Sequence, residues 1–190
     1  SVLPGNLQVT GNATISGTTN SVGALTENSN AVRTVATSGA ILQVVHASST
    51  TNTSTTSSTY TDTAITANIT PTSSSNKIMV HIVANVGWSG SSANSWAGGI
   101  RILRDSTVIA TPNNDNGPIS FYTGIFGVSG LSTGISRAMF PFFAFDSPAT
   151  TSSVTYKAQV ASRGSANTEV NVTGNTDPGT SYITLMEIVA

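Results

Sequence analysis

The chain reads as all-β: an antiparallel β-sandwich of jelly-roll type preceded by a short extended, shaft-like segment. Three observations predict this. Short β-branched and aliphatic runs with period-two alternation recur along the sequence, closed by Gly, Pro, Asn or Ser. No stretch carries a convincing long helical pattern. Ser and Thr fill roughly three positions in ten while only 8% of residues are charged, against about 25% in an average soluble domain. Threonine joins a hydroxyl to the branched shape that suits a pleat, so hydroxyls take over from charge as the solvating surface.

Residues 1–36 differ from the rest. Glycine recurs at Gly5, Gly11 and Gly17, with Asn6 and Asn12 behind the first two, and apolar residues stand at Leu7, Val9, Ala13 and Ile15. This is a repeat of turn plus alternation, which must stack on neighbours or wind with other copies to bury its apolar side. A plain N-terminal hairpin is the simpler reading. From Asn20 to Ala36 a Ser/Asn/Ala stretch forms a connector, with a helical turn expected near residues 27–35.

Residues 37–190 form the head. Ile41–His46 is a strand apolar on both faces, and the Ser/Thr tract from Ser48 to Thr59 reads as an exposed loop. Tyr60, Ile65, Ala67 and Ile69 alternate until Thr70-Pro71 ends the strand. Lys77–Val86 is the best core strand, with Ile78, Val80, Ile82, Ala84 and Val86 on one face and Met79, His81, Val83 and Asn85 on the other. Gly87–Gly99 is a Gly/Ser loop, and Ile100–Arg104 and Thr107–Ala110 make a hairpin across Asp105-Ser106. Asn113–Pro118 is a loop. Strands follow at Ile119–Val128, Gly134–Asp146, Val154–Val160, Glu169–Val172 and Tyr182–Val189, the last two separated by Gly174–Gly179. Pro141 cannot donate to a central ladder, so its strand is an edge or is bulged. The aromatics around it then need a cover, which another subunit supplies.

Composition narrows the function. A net charge of −1 and a pI near 6.0 provide no field that would steer the chain to nucleic acid or acidic lipid. Weak self-repulsion favours an oligomer. Cysteine is absent, which removes disulfides, thiolate catalysis and cysteine-ligated zinc. No apolar run approaches the roughly 18 residues of a membrane span, and Ser1 is not followed by signal-peptide features.

Few residues suggest chemistry. Most of the carboxylates (Glu27, Asp62, Asp105, Asp115, Asp146, Glu169, Asp177, Glu187) fall in expected turns, and nothing places two across a cleft as a glycosidase requires. The chain is expected not to be an enzyme and to use no cofactor or metal. His46 and His81 lie on predicted strands and would meet only if those strands pair, and two ligands without a third make a poor metal site. Residues 113–116 lack the acidic spacing of a calcium loop. Trp88 and Trp96, with Asn94 between them, are the local feature that stands out. An exposed indole beside Asn and Ser can stack on a sugar ring while amides bond its hydroxyls; equally, each indole can plug the end of the sandwich or a subunit seam.

Several stretches resemble the C-terminal modules of bacteriophage fibre and appendage proteins: Thr59–Thr63, Ile69–Ser73, Lys77–Val80, Arg101–Asp105 and the closing Tyr182–Ile188. The opening Gly-Asn-Leu-x-Val-x-Gly-Asn-x-x-Ile-x-Gly is similar to fibre-shaft segments of the same proteins. The resemblance implies a structural protein on the virion surface, a homotrimer that docks on other virion proteins through residues 1–36 and displays the head, with host attachment, through a surface glycan, as a further role. A capsid decoration protein and a soluble carbohydrate-binding module are the alternative readings.

Overall fold

The structure, a computed structural model, describes residues 26–27, 30–31, 38–89, 97–111, 136–163, 167–174 and 177–190. The chain divides into two compact units, Ser1–Val35 and Ala36–Ala190. In the first, β1 (Thr26–Glu27) pairs antiparallel with β2 (Asn30–Ala31), Glu27 opposite Asn30. This pairing replaces the helical turn expected there, because Asn and Ser side chains compete with helix-interior bonding and favour turns. The glycine repeat of residues 5–17, the loop at 113–118 and the strand expected at 119–128 lie outside the described residues.

The second unit is an antiparallel β-sandwich, with no helix among the described residues. Its strands are β3 (Ile41–Ser49), β4 (Thr53–Thr55), β5 (Thr61–Ile69), β6 (Lys77–Ser89), β7 (Ala97–Arg104), β8 (Thr107–Ala110), β9 (Ser136–Asp146), β10 (Val154–Arg163), β11 (Asn167–Val170), β12 (Thr173–Gly174), β13 (Asp177–Pro178) and β14 (Ser181–Ile188). The smaller sheet runs β5-β10-β7-β8. In the larger sheet β6 carries β9 along one edge and β14 followed by β11 along the other. β3 and β4 succeed one another outside β14 and β11, so this sheet is four strands wide.

Alternation places the core. Ile78, Val80, Ile82, Ala84 and Val86 of β6 and Ile183 and Leu185 of β14 face Ile65 and Ile69 of β5, Tyr156, Ala158 and Val160 of β10 and Ile100 and Ile102 of β7. The Ser/Thr tract is not all loop. β3 runs on to Ser49, and Thr53–Thr55 pairs with Thr168–Val170. Hydroxyl residues serve a backbone ladder as well as β-branched aliphatics do, but they carry no hydropathy signal. β6 likewise continues past Val86 to Ser89, and β7 begins at Ala97, inside the expected loop.

Two polar clusters hold the ends of the larger sheet. At one end Glu187, fully buried, accepts hydrogen bonds from Gln43 Nε2 (2.6 Å), Thr72 N (2.7 Å), Thr72 Oγ1 (2.8 Å) and Asn76 Nδ2 (2.7 Å). These donors are all neutral, and they clasp the β5–β6 connection to β14. Burial opposes ionisation of the carboxyl, but the bonds from Asn76, Gln43 and Thr72 outweigh it and hold Glu187 below the ordinary carboxylate range. Toward the other end, residues 171–174 and 177–180, between β11 and β14, take no part in this sheet. Asn171, in the left-handed region at φ 56°, donates its backbone N–H to Asn85 O (2.8 Å) and its side-chain amide to Thr51 O (2.9 Å). Ser181 Oγ donates to Asn171 Oδ1 and accepts from Asn85 N (2.9 Å).

Two outcomes follow from these clusters. Glu187→Gln turns an amide donor toward other donors and is expected to cost about 2–3 kcal/mol in urea denaturation at neutral pH. Because the folded carboxyl is held low, its contribution is complete above the unfolded value near 4.5 and is lost as pH falls through the folded one, so wild-type stability declines in that acid window and the variant's declines less. Separately, a Cβ at Gly179 would collide with the side-chain amide of Asn85, whose Oδ1 already accepts from Val172 N at 3.2 Å. Gly179→Ala therefore displaces the amide that ties down the excursion, and thermal melting should show a loss of about 2–3 kcal/mol.

Candidate functional site: an apolar face of the larger sheet

The two solvent-side faces of the sandwich differ in chemistry. On the smaller sheet, Asp62 of β5 accepts from Lys157 Nζ (2.8 Å) and Gln159 Nε2 of β10, and Arg101 of β7 donates to Gln159 Oε1 (2.7 Å). The bonds from Lys157 and Gln159 lower the Asp62 pKa. This face is a polar surface laced together across three strands.

The outward face of the larger sheet is apolar. Pairing registers align three rows across β3, β14, β6 and β9: Val44–Met186–Met79–Phe145, His46–Thr184–His81–Phe143, and Ser48–Tyr182–Val83–Pro141. No carboxylate, lysine or arginine stands in these rows. Lys77, opposite Ile188, lies beyond them at one end, and Arg137 and Glu169, on either side of Gly87, lie beyond them at the other. Exposure is greatest on the flanks, at Phe143 (60%), Phe145 (66%) and Met139 (46%) of β9 and at Ile41 (56%) and Val44 (56%) of β3. The strands between are half-shielded by these neighbours. Rings order the surface: His81 stacks on Phe143 with centroids 4.3 Å apart and planes 4° from parallel, and His46 stacks on Tyr182 at 5.8 Å. His46 Nδ1 lies 3.0 Å from Thr184 Oγ1.

The residues singled out by sequence fall as follows. The backbone of Trp88 belongs to β6, opposite Thr168 and Ser136, rather than to the expected loop, because the ladder with β9 and β11 extends over it. Asn94 and Trp96 lie outside the described residues. His46 and His81 do not meet: β14 separates their strands, and each stands opposite Thr184. The carboxylates expected in turns stand mostly on strands, since Asp62, Asp146, Glu169 and Glu187 each accept side-chain hydrogen bonds that make a strand position tolerable. Asp105 alone of the fully described ones occupies a turn, at φ 52°, with its carboxylate on Thr155 N (2.9 Å). The Pro141 strand is an unbulged edge: among the described residues β9 pairs only with β6.

Sequence reasoning missed a second polar group. Asp146 Oδ2 accepts from Arg104 Nη1 (2.6 Å) and from Tyr156 Oη (2.7 Å), joining the larger sheet to β7 and β10 of the smaller. Burial, with the Asp146 carboxylate beside it, pushes the Tyr156 hydroxyl far above the phenol range, so it stays a donor. The signal was there in phase, because Asp146 continues the inward series Phe140, Phe142, Ala144. A groove of about 250 Å³ between β9 and the β7–β8 hairpin, lined by Ile100, Ile102, Ala110, Thr111, Pro141, Phe142 and Phe143, contains no titratable side chain and is smaller than the roughly 300 Å³ at which ligand pockets begin. Among the described residues no three His, Cys, Asp or Glu come together as a metal site, and no helix is long and apolar enough to cross a membrane.

No family model matches this chain, and no curated protein matches it. Among solved structures it is similar to a chain from the structure of infectious bursal disease virus, Gx strain, at 15% identity and a TM-score of 0.33, over 78% of this chain. The chain spans 37% of the length of that viral chain. A superposition that loose leaves the functional reading to rest on the geometry above.

The Asp146 cluster is a clamp between sheets, and its two donors should differ in weight. Tyr156→Phe keeps the packing and the arginine, and is expected to cost about 1 kcal/mol in urea denaturation. Arg104→Met leaves a largely buried carboxylate without its cation and should cost about 2–3 kcal/mol.

Proposed function

We propose that this protein is a non-enzymatic structural subunit of a viral particle, a homotrimeric fibre or appendage of bacteriophage type that assembles through the outward face of its larger sheet. The observation that carries the reading is the contrast between the two solvent-side faces of one sandwich. One is polar and internally hydrogen-bonded, and the other carries three largely apolar rows across four strands that contain no Asp, Glu, Lys or Arg. The three exposed rings leave roughly 300 Å² uncovered at about 200 Å² per ring, given exposures of 60, 66 and 39% for Phe143, Phe145 and Tyr182. With Ile41, Leu42, Val44 and Met139 the patch reaches roughly 600 Å², at the upper limit for a monomer and close to the ~800 Å² each partner gives a stable interface.

A second copy suits this surface. Both sides of a contact between copies are then uncharged, and the rim cations Lys77 and Arg137 stay at its ends in water. The polar face of the smaller sheet remains outward. Residues 1–36 serve in this reading as the part that docks on other virion proteins, and the hydroxyl-rich, charge-poor head is displayed for attachment to the host. Its polar groups are engaged in structure: Glu187, Asp146 and Asp62 each hold strands together, which suits rigid display rather than turnover.

Mass measurement of the native chain by light scattering tests the assembly, and imaging of particles carrying a labelled chain tests its place. The expected mass is that of three chains. Phe143→Lys with Phe145→Lys should reduce it to one chain while changing folded stability by about 0.5 kcal/mol or less, as exposed substitutions do. A wild-type chain that stays single at tens of micromolar sinks the proposal.

A further inference from the structure

A contact that one patch makes with its own copy joins two chains and stops, whereas three chains around an axis need two different patches that fit one another. The outward face of the larger sheet has a different patch at each flank. One flank is β3, which pairs only with β14 among the described strands. Its register against β14 shifts between Glu187 and Ile188, where Ile41 rather than Leu42 stands opposite Ile188. The bulge leaves Ile41 and Leu42 both exposed, and with exposed Val44 they form an aliphatic ridge.

Across the sheet, three strand spacings or about 14 Å away, the other flank is hollow. Pro141 and Phe143 of β9 end two rows of the face and also line the groove of about 250 Å³, whose far wall is Ile100, Ile102 and Ala110. Exposed Phe143 and Thr111 bring this groove to the surface. It is too small for an ordinary ligand, but an apolar cavity of ~150 Å³ already holds a benzene, so the side chains of Leu42 and Val44 together are within its capacity. Neither patch carries a charge, and Lys77, Arg137 and Glu169 all lie beyond the rows between them. Groove and face are one continuous apolar surface, and the same chain carries a ridge of matching chemistry.

We propose that copies of this chain join ridge to groove: Leu42 and Val44 of one copy seat between β9 and the β7–β8 hairpin of the next, and three such contacts close a ring. This rests on the assembly reading above and names the two surfaces that meet. Each contact removes the ridge aliphatics and the Phe143 ring from water together, with no charge to desolvate. Three faces joined flank to flank enclose a common axis, and the half-shielded strands β14 and β6 look onto it. The polar face of the smaller sheet stays in solvent.

Sedimentation of the full chain and of two variants tests this, with circular dichroism to check that each is folded. Leu42→Lys with Val44→Lys spoils the ridge at exposed positions, and Ala110→Phe fills the groove. Should Ala110→Phe fail to fold, Phe143→Lys spoils the groove from an exposed position instead. Wild type is expected at the mass of three chains, and each variant alone at the mass of one, its contact weakened at least about 30-fold. An equimolar mixture of the two variants should reach the mass of two chains and no more, because one intact ridge then meets one intact groove. Raising the mixture to about 1 mM reveals even a contact of millimolar strength. A mixture that stays single overturns the proposal. So does either variant that keeps the mass of three, as Ala110→Phe would if residues 112–135 of the same chain filled the groove. A wild type of two chains shows a self-matching patch, which overturns ridge-to-groove joining and leaves assembly through the face standing. A wild type that is single overturns assembly itself, and this joining with it.

Discussion

The sandwich of the second unit is referred to the register of β6. Of its 13 residues, 78–88 pair with β9 on one side, and 77–83 and 86–89 pair with β14 and then β11 on the other. A slip of one residue against any neighbour would turn Ile78, Val80 and Ile82 to solvent and Met79, His81 and Val83 into the core. An apolar pattern on both sides of the strand resists such a slip poorly, because either set can be buried. The polar clusters supply the missing specification. Glu187 and Asp146 stand on either side of Ile78 in one row, and each finds its donors only when facing the smaller sheet or the β5–β6 connection. Asn171 and Ser181 do the same at Asn85. Misregister would bury or strand these groups unpaired, at a cost of about 1–3 kcal/mol for each.

Much of this was legible. The alternation of Lys77–Val86, Val154–Val160 and Tyr182–Val189, and the hairpin at Asp105-Ser106, correspond to β6, β10, β14 and β7–β8 because their aliphatic phase is unbroken. β4 was not legible, since Thr53, Ser54 and Thr55 have the same hydropathy on both faces and their pairing with β11 is set at long range. The inward phase of Glu187 after Ile183 and Leu185 could have been read as burial. Its neutral donors Gln43, Thr72 and Asn76 lie more than a hundred residues away in sequence, so nothing local announces them. For Phe140–Phe145 the residue types are apolar in both phases, and only the register with β6 shows that Phe140 and Phe142 turn in while Phe143 and Phe145 turn out.

Scarcity of charge also acquires a structural meaning. With eight carboxylates and seven Lys or Arg in the whole chain, ion pairs cannot cover two sheet faces. The fold concentrates Asp62, Lys157, Arg101 and Gln159 on the smaller sheet and spends Asp146 and Glu187 inside, which leaves the three middle rows of the larger sheet's outer face without charge and Lys77, Arg137 and Glu169 beyond them. The apolar face is thus a consequence of where a small number of polar side chains are used, and threonines and histidines are what remain to moderate it.

Such a face raises the question of why contact between copies would use it rather than the strand edges, where open-ended pairing begins. The edges of the larger sheet are both compromised. Pro141, mid-way along β9, offers no N–H to an incoming strand. The opposite edge is broken between β3 and β4, where Thr51 O accepts from Asn171 and Asn52 Nδ2 donates to Asn171 O at 3.1 Å, so that stretch turns its polar groups inward. Edge pairing would have to bridge a proline on one side and an interruption on the other. Face packing needs neither repair, and it consumes the apolar surface instead of extending the ladder. A surface used in this way closes on a fixed number of copies when the rotation between them closes, which separates a bounded assembly from a growing fibril.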